Sequence, residues 1–179
     1  MRGPRIEGWT LAEGLVTLTV AALVGAVALP GVTGLLERTR AETTLTRAQA
    51  AVQFTRTAAV TSGTAAVLCP LGDDDRCGGD WSRGFAVFLD RDHDARRDDD
   101  EALLRRFRGA EPGARLQFRA FRTGRFLRMR PNGQTDWQNG RLLYCPPEDS
   151  AAEPAELVIN VQGRARAVRG PLPRDRCTR

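Results

Sequence analysis

An apolar run, Gly8 to Pro30, reading GWTLAEGLVTLTVAALVGAVALP, constrains this chain more than any other feature. About 20 apolar residues suffice for one helix to cross the hydrocarbon core of a bilayer. Near its start the run holds a single carboxylate, Glu13. An acid inside a bilayer costs roughly 2.5 to 3.5 kcal/mol on insertion scales, so one kept in such a segment has a partner and a purpose. Arg2 and Arg5 stand ahead of the run and keep the leader on the cytoplasmic side by the positive-inside rule. Two plainer readings compete: a secretory signal peptide cut at Ala26-Val27-Ala28, and a simple signal anchor. The length of the run argues against the first, and neither accounts for Glu13.

Gly8 followed by Trp9-Thr10-Leu11-Ala12-Glu13 and the apolar run resembles the class III leader and N-terminal helix of type IV pilins and type II secretion pseudopilins. The resemblance implies that a prepilin peptidase cuts after Gly8 and N-methylates Trp9, where the family usually has Phe. It also implies that Glu13 pairs with the free N-terminus of a neighbouring subunit during filament assembly. Electrostatics agrees, because the ammonium left by cleavage is the partner a membrane-buried acid needs.

Beyond Pro30 the period stays helical. Leu35, Leu36, Leu45, Ala48, Val52 and Ala59 recur at three- and four-residue intervals, with Arg38, Arg40, Glu42 and Arg47 on the remaining surface. Thr61-Ser62-Gly63 reads as the stop. From Ala65 the period turns to that of strands: Ala65 to Cys69, Gly84 to Asp90, Leu116 to Ala120, Arg125 to Arg130, Arg141 to Tyr144 and Leu157 to Val161, broken by Gly, Pro and Asp clusters. The expected fold class is therefore α+β, a long N-terminal helix packed on a C-terminal antiparallel head, and the resemblance implies that it is type IV pilin-like. The expected divisions are a leader 1–8, a transmembrane segment 9–30, an amphipathic helix 31–62 and a head 63–179. The resemblance of the leader implies a bacterial inner-membrane, single-pass protein with its head in the periplasm.

The head sharpens the resemblance. Cys69-Pro70, Cys77, Trp81-Ser82-Arg83-Gly84-Phe85, the acid-rich Phe88-Leu89-Asp90-Arg91-Asp92, Arg130-Pro131-Asn132-Gly133, Cys145-Pro146 and Gly163-Arg164-Ala165-Arg166 together resemble the GspH/FimT group of minor pilins and pseudopilins. The resemblance implies other pilin or pseudopilin subunits, prepilin peptidase and the inner membrane as partners. In FimT-like members the GRxR region is associated with double-stranded DNA during natural transformation, which maps onto Gly163, Arg164 and Arg166.

Arg164 and Arg166 sit two apart and share a face on an extended strand, and Arg169, Arg174 and Arg176 follow in a Pro- and Gly-broken tail. Such guanidinium clusters suit phosphates and carry no base-reading element. Against this stands a general bias, since every one of the 27 basic residues is arginine, facing 22 acids. Asp90, Asp92, Asp94, Asp98 and Glu101 fall at positions 1, 3, 5, 9 and 12 of an EF-hand calcium loop, with Ala95 where that loop requires Gly. The competing reading is a solvated hairpin tip. Four cysteines in a domain outside the cytoplasm point to disulfides. Three connectivities are open; position favours Cys69 with Cys77 and Cys145 with Cys177. One histidine, His93, lies in the charged loop without a nucleophile motif, phosphate-cradling loop or zinc spacing, so the expectation is an assembly subunit and no enzyme or resident cofactor.

Overall fold

The computed structural model of the chain describes residues 10–70, 72, 77–168 and 172–177, with the side chains of 26–32 outside that description. The leader and the Gly8/Trp9 cleavage and methylation site therefore lie outside the described residues, as does Arg169. One helix, α1, spans Leu11–Ser62. Its first turn is capped by Thr10, whose hydroxyl accepts the Glu13 N–H at 3.3 Å. Thr10 and Glu13 thus have the T-x-x-E spacing of a capping box. Gly63 ends the helix at φ 65, a conformation glycine adopts without the Cβ penalty. Among the described residues no helix is long and apolar enough to cross a membrane. The expected segment 9–30 includes Trp9 and side chains 26–30, which are outside those residues.

The chain divides into two compact units, Met1–Leu36 and Glu37–Arg179. The second begins well before the expected head boundary at 63, and the helix shows why. Ala41, Leu45, Ala48, Val52, Thr55 and Ala59, spaced by alternate fours and threes, are all buried, whereas Leu35 and Leu36 are exposed. The apolar stripe that needs covering starts at Ala41. Among the described residues eight strands follow: β1 Ala65–Pro70, β2 Gly84–Asp90, β3 Leu103–Arg108, β4 Arg115–Ala120, β5 Leu127–Met129, β6 Gly140–Cys145, β7 Ala155–Ile159 and β8 Ala165–Ala167. They form two antiparallel sheets, β3-β2-β1-β5 and β4-β6-β7-β8. The helix stripe and both sheets share one core containing Phe85, Leu116, Leu127, Tyr144 and Leu157.

Two strand expectations shift. Arg125 to Arg130 shortens to β5, because Arg130 begins a turn closed by the Gly133 N–H on the Arg130 carbonyl at 2.8 Å. Leu157 to Val161 moves back to β7, since Asn160 to Gly163 turn the chain into β8. Strand β3 was not expected at all. Its pattern lacks alternation, and only Phe107 of its six residues is buried.

Polar groups tie the layers together. Tyr144 donates to Glu111, and the Thr44 hydroxyl donates to the other Glu111 oxygen at 3.4 Å, linking β6, the β3–β4 connection and α1. Burial first, and the Glu111 carboxylate second, push the Tyr144 hydroxyl well above its ordinary range, so it stays a donor. Disulfides join Cys69 to Cys77 and Cys145 to Cys177.

Candidate functional site

The acid-rich segment is the connection between the antiparallel strands β2 and β3. Carboxylate oxygens of Asp90, Asp92 and Asp94 come within 4.8 Å of one another, and Asp98 and Glu101 stand outside that group. Glu101 is spent within the loop: it accepts the Arg91 N–H at 2.8 Å and the Asp98 N–H at 3.3 Å. Asp90 is fully buried and faces Arg128, Oδ2 to Nε 2.8 Å. That approach is off hydrogen-bonding angle, leaving charge attraction as its main content. The same Arg128 donates to the His93 carbonyl at 2.6 Å and reaches Asp136 at 3.4 Å.

Burial raises the Asp90 carboxyl above its usual value, with the Arg128 charge opposing. Burial also raises Glu101, opposed by the Arg91 and Asp98 N–H groups. For Asp136 burial pulls upward too, but the bond from Arg130 and the charges of Arg130, Arg128 and Arg122 hold it below the carboxylate range. The loop is thus locked to β5 and its following turn by an Asp90–Arg128–Asp136–Arg130 chain of alternating charge. Its one histidine contributes a main-chain carbonyl and is itself exposed, at φ 65.

The six residues assigned to the basic C-terminal region separate into different jobs. Arg174 donates to the carbonyls of Glu148, Ser150 and Ala152 at 3.1, 2.9 and 3.3 Å. Glu37 grips the same turn from the helix, accepting from the Ser150 hydroxyl at 3.0 Å and the Ala151 N–H at 2.6 Å. Arg176 pairs with Glu156 at 3.1 Å. Both arginines, with the Cys145–Cys177 bond, clamp the tail onto β6 and the turn that follows it. Gly163, at φ 71, packs under the Arg130–Gly133 turn.

That leaves Arg164 and Arg166, whose guanidinium groups are exposed and make no ion pair among the described residues. Their shared face was legible from strand parity; their neighbours were not. Register puts Arg119 of β4 opposite Arg141 of β6, Arg141 opposite Val158 of β7, and Val158 opposite Arg166 of β8. Directly opposed residues share a face, and their sequence neighbours Phe118, Leu142, Leu157, Ile159 and Ala165 are in the core. The row therefore lies on the outward face of the sheet.

A family model described as Type II transport protein GspH matches residues 44–163. No curated protein matches significantly. Among solved structures, the type IV minor pilin FimU of Pseudomonas aeruginosa is similar with a TM-score of 0.58 and 18% identity, covering 75% of this chain and 92% of that one. A second crystal form of FimU gives 0.52 and 19%, covering 73% and 91%. The minor pseudopilin EpsH from the Type 2 Secretion System of Vibrio cholerae gives 0.52 and 12%, covering 72% and 96%. At such identities the likeness is one of fold: a type IV pilin-like helix and antiparallel sheet head.

Proposed function

The chain belongs to the Type II transport protein GspH family, and from that premise we propose that it is a minor pilin or pseudopilin subunit of a type IV pilus or type II secretion filament. It enters the inner membrane through residues 9–30, is cut by prepilin peptidase between Gly8 and Trp9 and methylated on Trp9, and joins other pilin or pseudopilin subunits with its head in the periplasm. The observation that carries this reading is the family match over the folded head. Glu13, at the start of an apolar run, supports the assembly role with its charge.

In the intact chain Glu13 also sits at the third helical position behind its Thr10 cap, so a test must separate capping from charge. Gln serves a capping box as Glu does. Glu13→Gln therefore keeps the helix start and removes only the carboxylate. Its recovery in sheared filaments is expected to fall by at least about tenfold, the equivalent of about 1.4 kcal/mol, with membrane levels of the subunit unchanged. Undiminished recovery, or a mature chain starting elsewhere than Trp9, would sink the proposal.

A second reading rests on Arg164 and Arg166, which are exposed and make no ion pair among the described residues: binding of double-stranded DNA without sequence preference. The full chain in detergent micelles is expected to shift duplex DNA at low salt. The slope of log affinity against log salt should be about 0.9 per phosphate contacted. Arg164→Ala with Arg166→Ala should lower that slope by about 1.8. Arg174→Ala, which frees a structural clamp, should act on stability first. Binding indifferent to the double change would remove this reading and leave the filament role standing.

A further inference from the structure

We propose that the outward face of the sheet β4-β6-β7-β8 is a platform for a single-stranded polynucleotide, with Arg141, Arg164 and Arg166 on its phosphates and Phe121 stacked on a base. This rests on the nucleic-acid reading of Arg164 and Arg166 and narrows it.

Three features of that face carry the inference. Arg119 and Arg141 are directly opposed across β4 and β6. Arg141 already meets Glu156 at 3.3 Å, so what the pair offers a phosphate is two guanidinium groups side by side on one face rather than relief of an unmatched repulsion. Arg166 stands two strands on from Arg141, about 10 Å at the backbone, a gap that arginine arms can close onto one sugar–phosphate chain.

The balance of charge is one-sided. Glu156, a carboxylate on this face, is already held by Arg141 at 3.3 Å and Arg176 at 3.1 Å. Among the described residues neither Arg164 nor Arg166 makes an ion pair, and Glu156, diagonal to Arg166 across β7 and β8, is engaged by the other two arginines.

Phe121 supplies the third feature. Its N–H bonds the Asn139 carbonyl at 3.3 Å, which continues the β4–β6 ladder one step past Ala120 and Gly140. Two residues beyond Arg119, it shares that outward side. The ring is 84% exposed. Bases inside a duplex are stacked on each other and present no face to such a ring. Unpaired bases do, and a basic sheet carrying an aromatic selects them by stacking.

Fluorescence anisotropy of the full chain in detergent micelles, with labelled oligothymidylate and a duplex of equal length, tests this. Oligothymidylate should bind more tightly. Phe121→Ala should weaken it by roughly 5- to 150-fold, without changing the salt slope. Arg141→Ala with Arg166→Ala should lower the slope by about 1.4, near 0.7 for each phosphate contact on a single strand. Phe121 is exposed, so its loss leaves folding intact. Equal affinity for both ligands with Phe121→Ala silent would overturn the single-strand platform and spare the nucleic-acid reading. Binding to neither would overturn both.

Discussion

Arg128→Ala is expected to destabilise the head by about 3–5 kcal/mol at neutral pH, the usual result of removing one partner from a buried ion pair. Asp90 has no exposed surface and Arg128 very little, so the surviving carboxylate would be left charged and unmatched. The arginine also donates to the His93 carbonyl and lies 5.6 Å over the Phe126 ring, so the acid-rich loop loses its tether to β5 as well. Urea denaturation of wild type and variant measures the difference. Replacing the pair together by apolar side chains, Asp90→Val with Arg128→Met, should recover most of the loss, because buried pairs often exchange for hydrophobic contacts at little cost. A double variant as unstable as the single one would show that packing of the arginine arm, and not charge matching, holds the loop.

The pH dependence sharpens the same test. Burial raises Asp90 in the folded protein even with Arg128 beside it. A carboxyl raised in the folded state favours folding most when protonated, below its unfolded value of about 3.9, and that contribution is lost as pH rises through the folded value. Without Arg128 the folded value rises further. The variant's deficit should therefore be greatest at neutral pH and shrink as pH falls towards about 4. Asp136 runs the other way. Its lowered carboxyl contributes stability above the unfolded value, which is lost in stronger acid as pH falls through the folded one.

Much of this architecture was legible because it depends on periods. The helix stripe from Leu45 to Ala59, the stop at Gly63 and the alternation in β4 are one-dimensional signals, each enforced by one face meeting a core. Strand β3 escaped because it is an edge strand with adjacent leucines and three arginines. Much of its apolar shielding comes from Arg105, which lies 5.0 Å over Phe107 and 5.5 Å over Phe54. The tail arginines were hidden for another reason. A run of Arg, Pro and Gly looks the same whether its guanidinium groups reach solvent or, like Arg174, three carbonyls of a distant turn. Likewise, parity alone places Arg164 and Arg166 on one face, but only strand register can align Arg119, Arg141 and Arg166 in one row.

Gly163→Ala should cost about 3 kcal/mol or more, although the position belongs to a motif associated with ligand binding. Two causes add. At φ 71 an L side chain is strained by about 1–2 kcal/mol. A Cβ there would also intrude on the Gly133 carbonyl, 3.1 Å from the Met129 sulfur and 3.3 Å from Arg56 Cδ. That carbonyl already accepts the Arg56 Nε–H at 3.1 Å, so it cannot retreat without loosening the turn from α1. The neighbouring Arg164→Ala, an exposed change, should lie within about 0.5 kcal/mol of wild type. Thermal denaturation of both variants separates two accounts of the motif. A large loss for glycine and none for arginine makes the glycine a packing residue that holds the Asn160–Gly163 turn under Arg130–Gly133 and so sets where the arginines project. If Gly163→Ala were as stable as wild type, the close approach of the two turns would not be what requires glycine there, and a direct contact between its backbone and a ligand would become the better explanation.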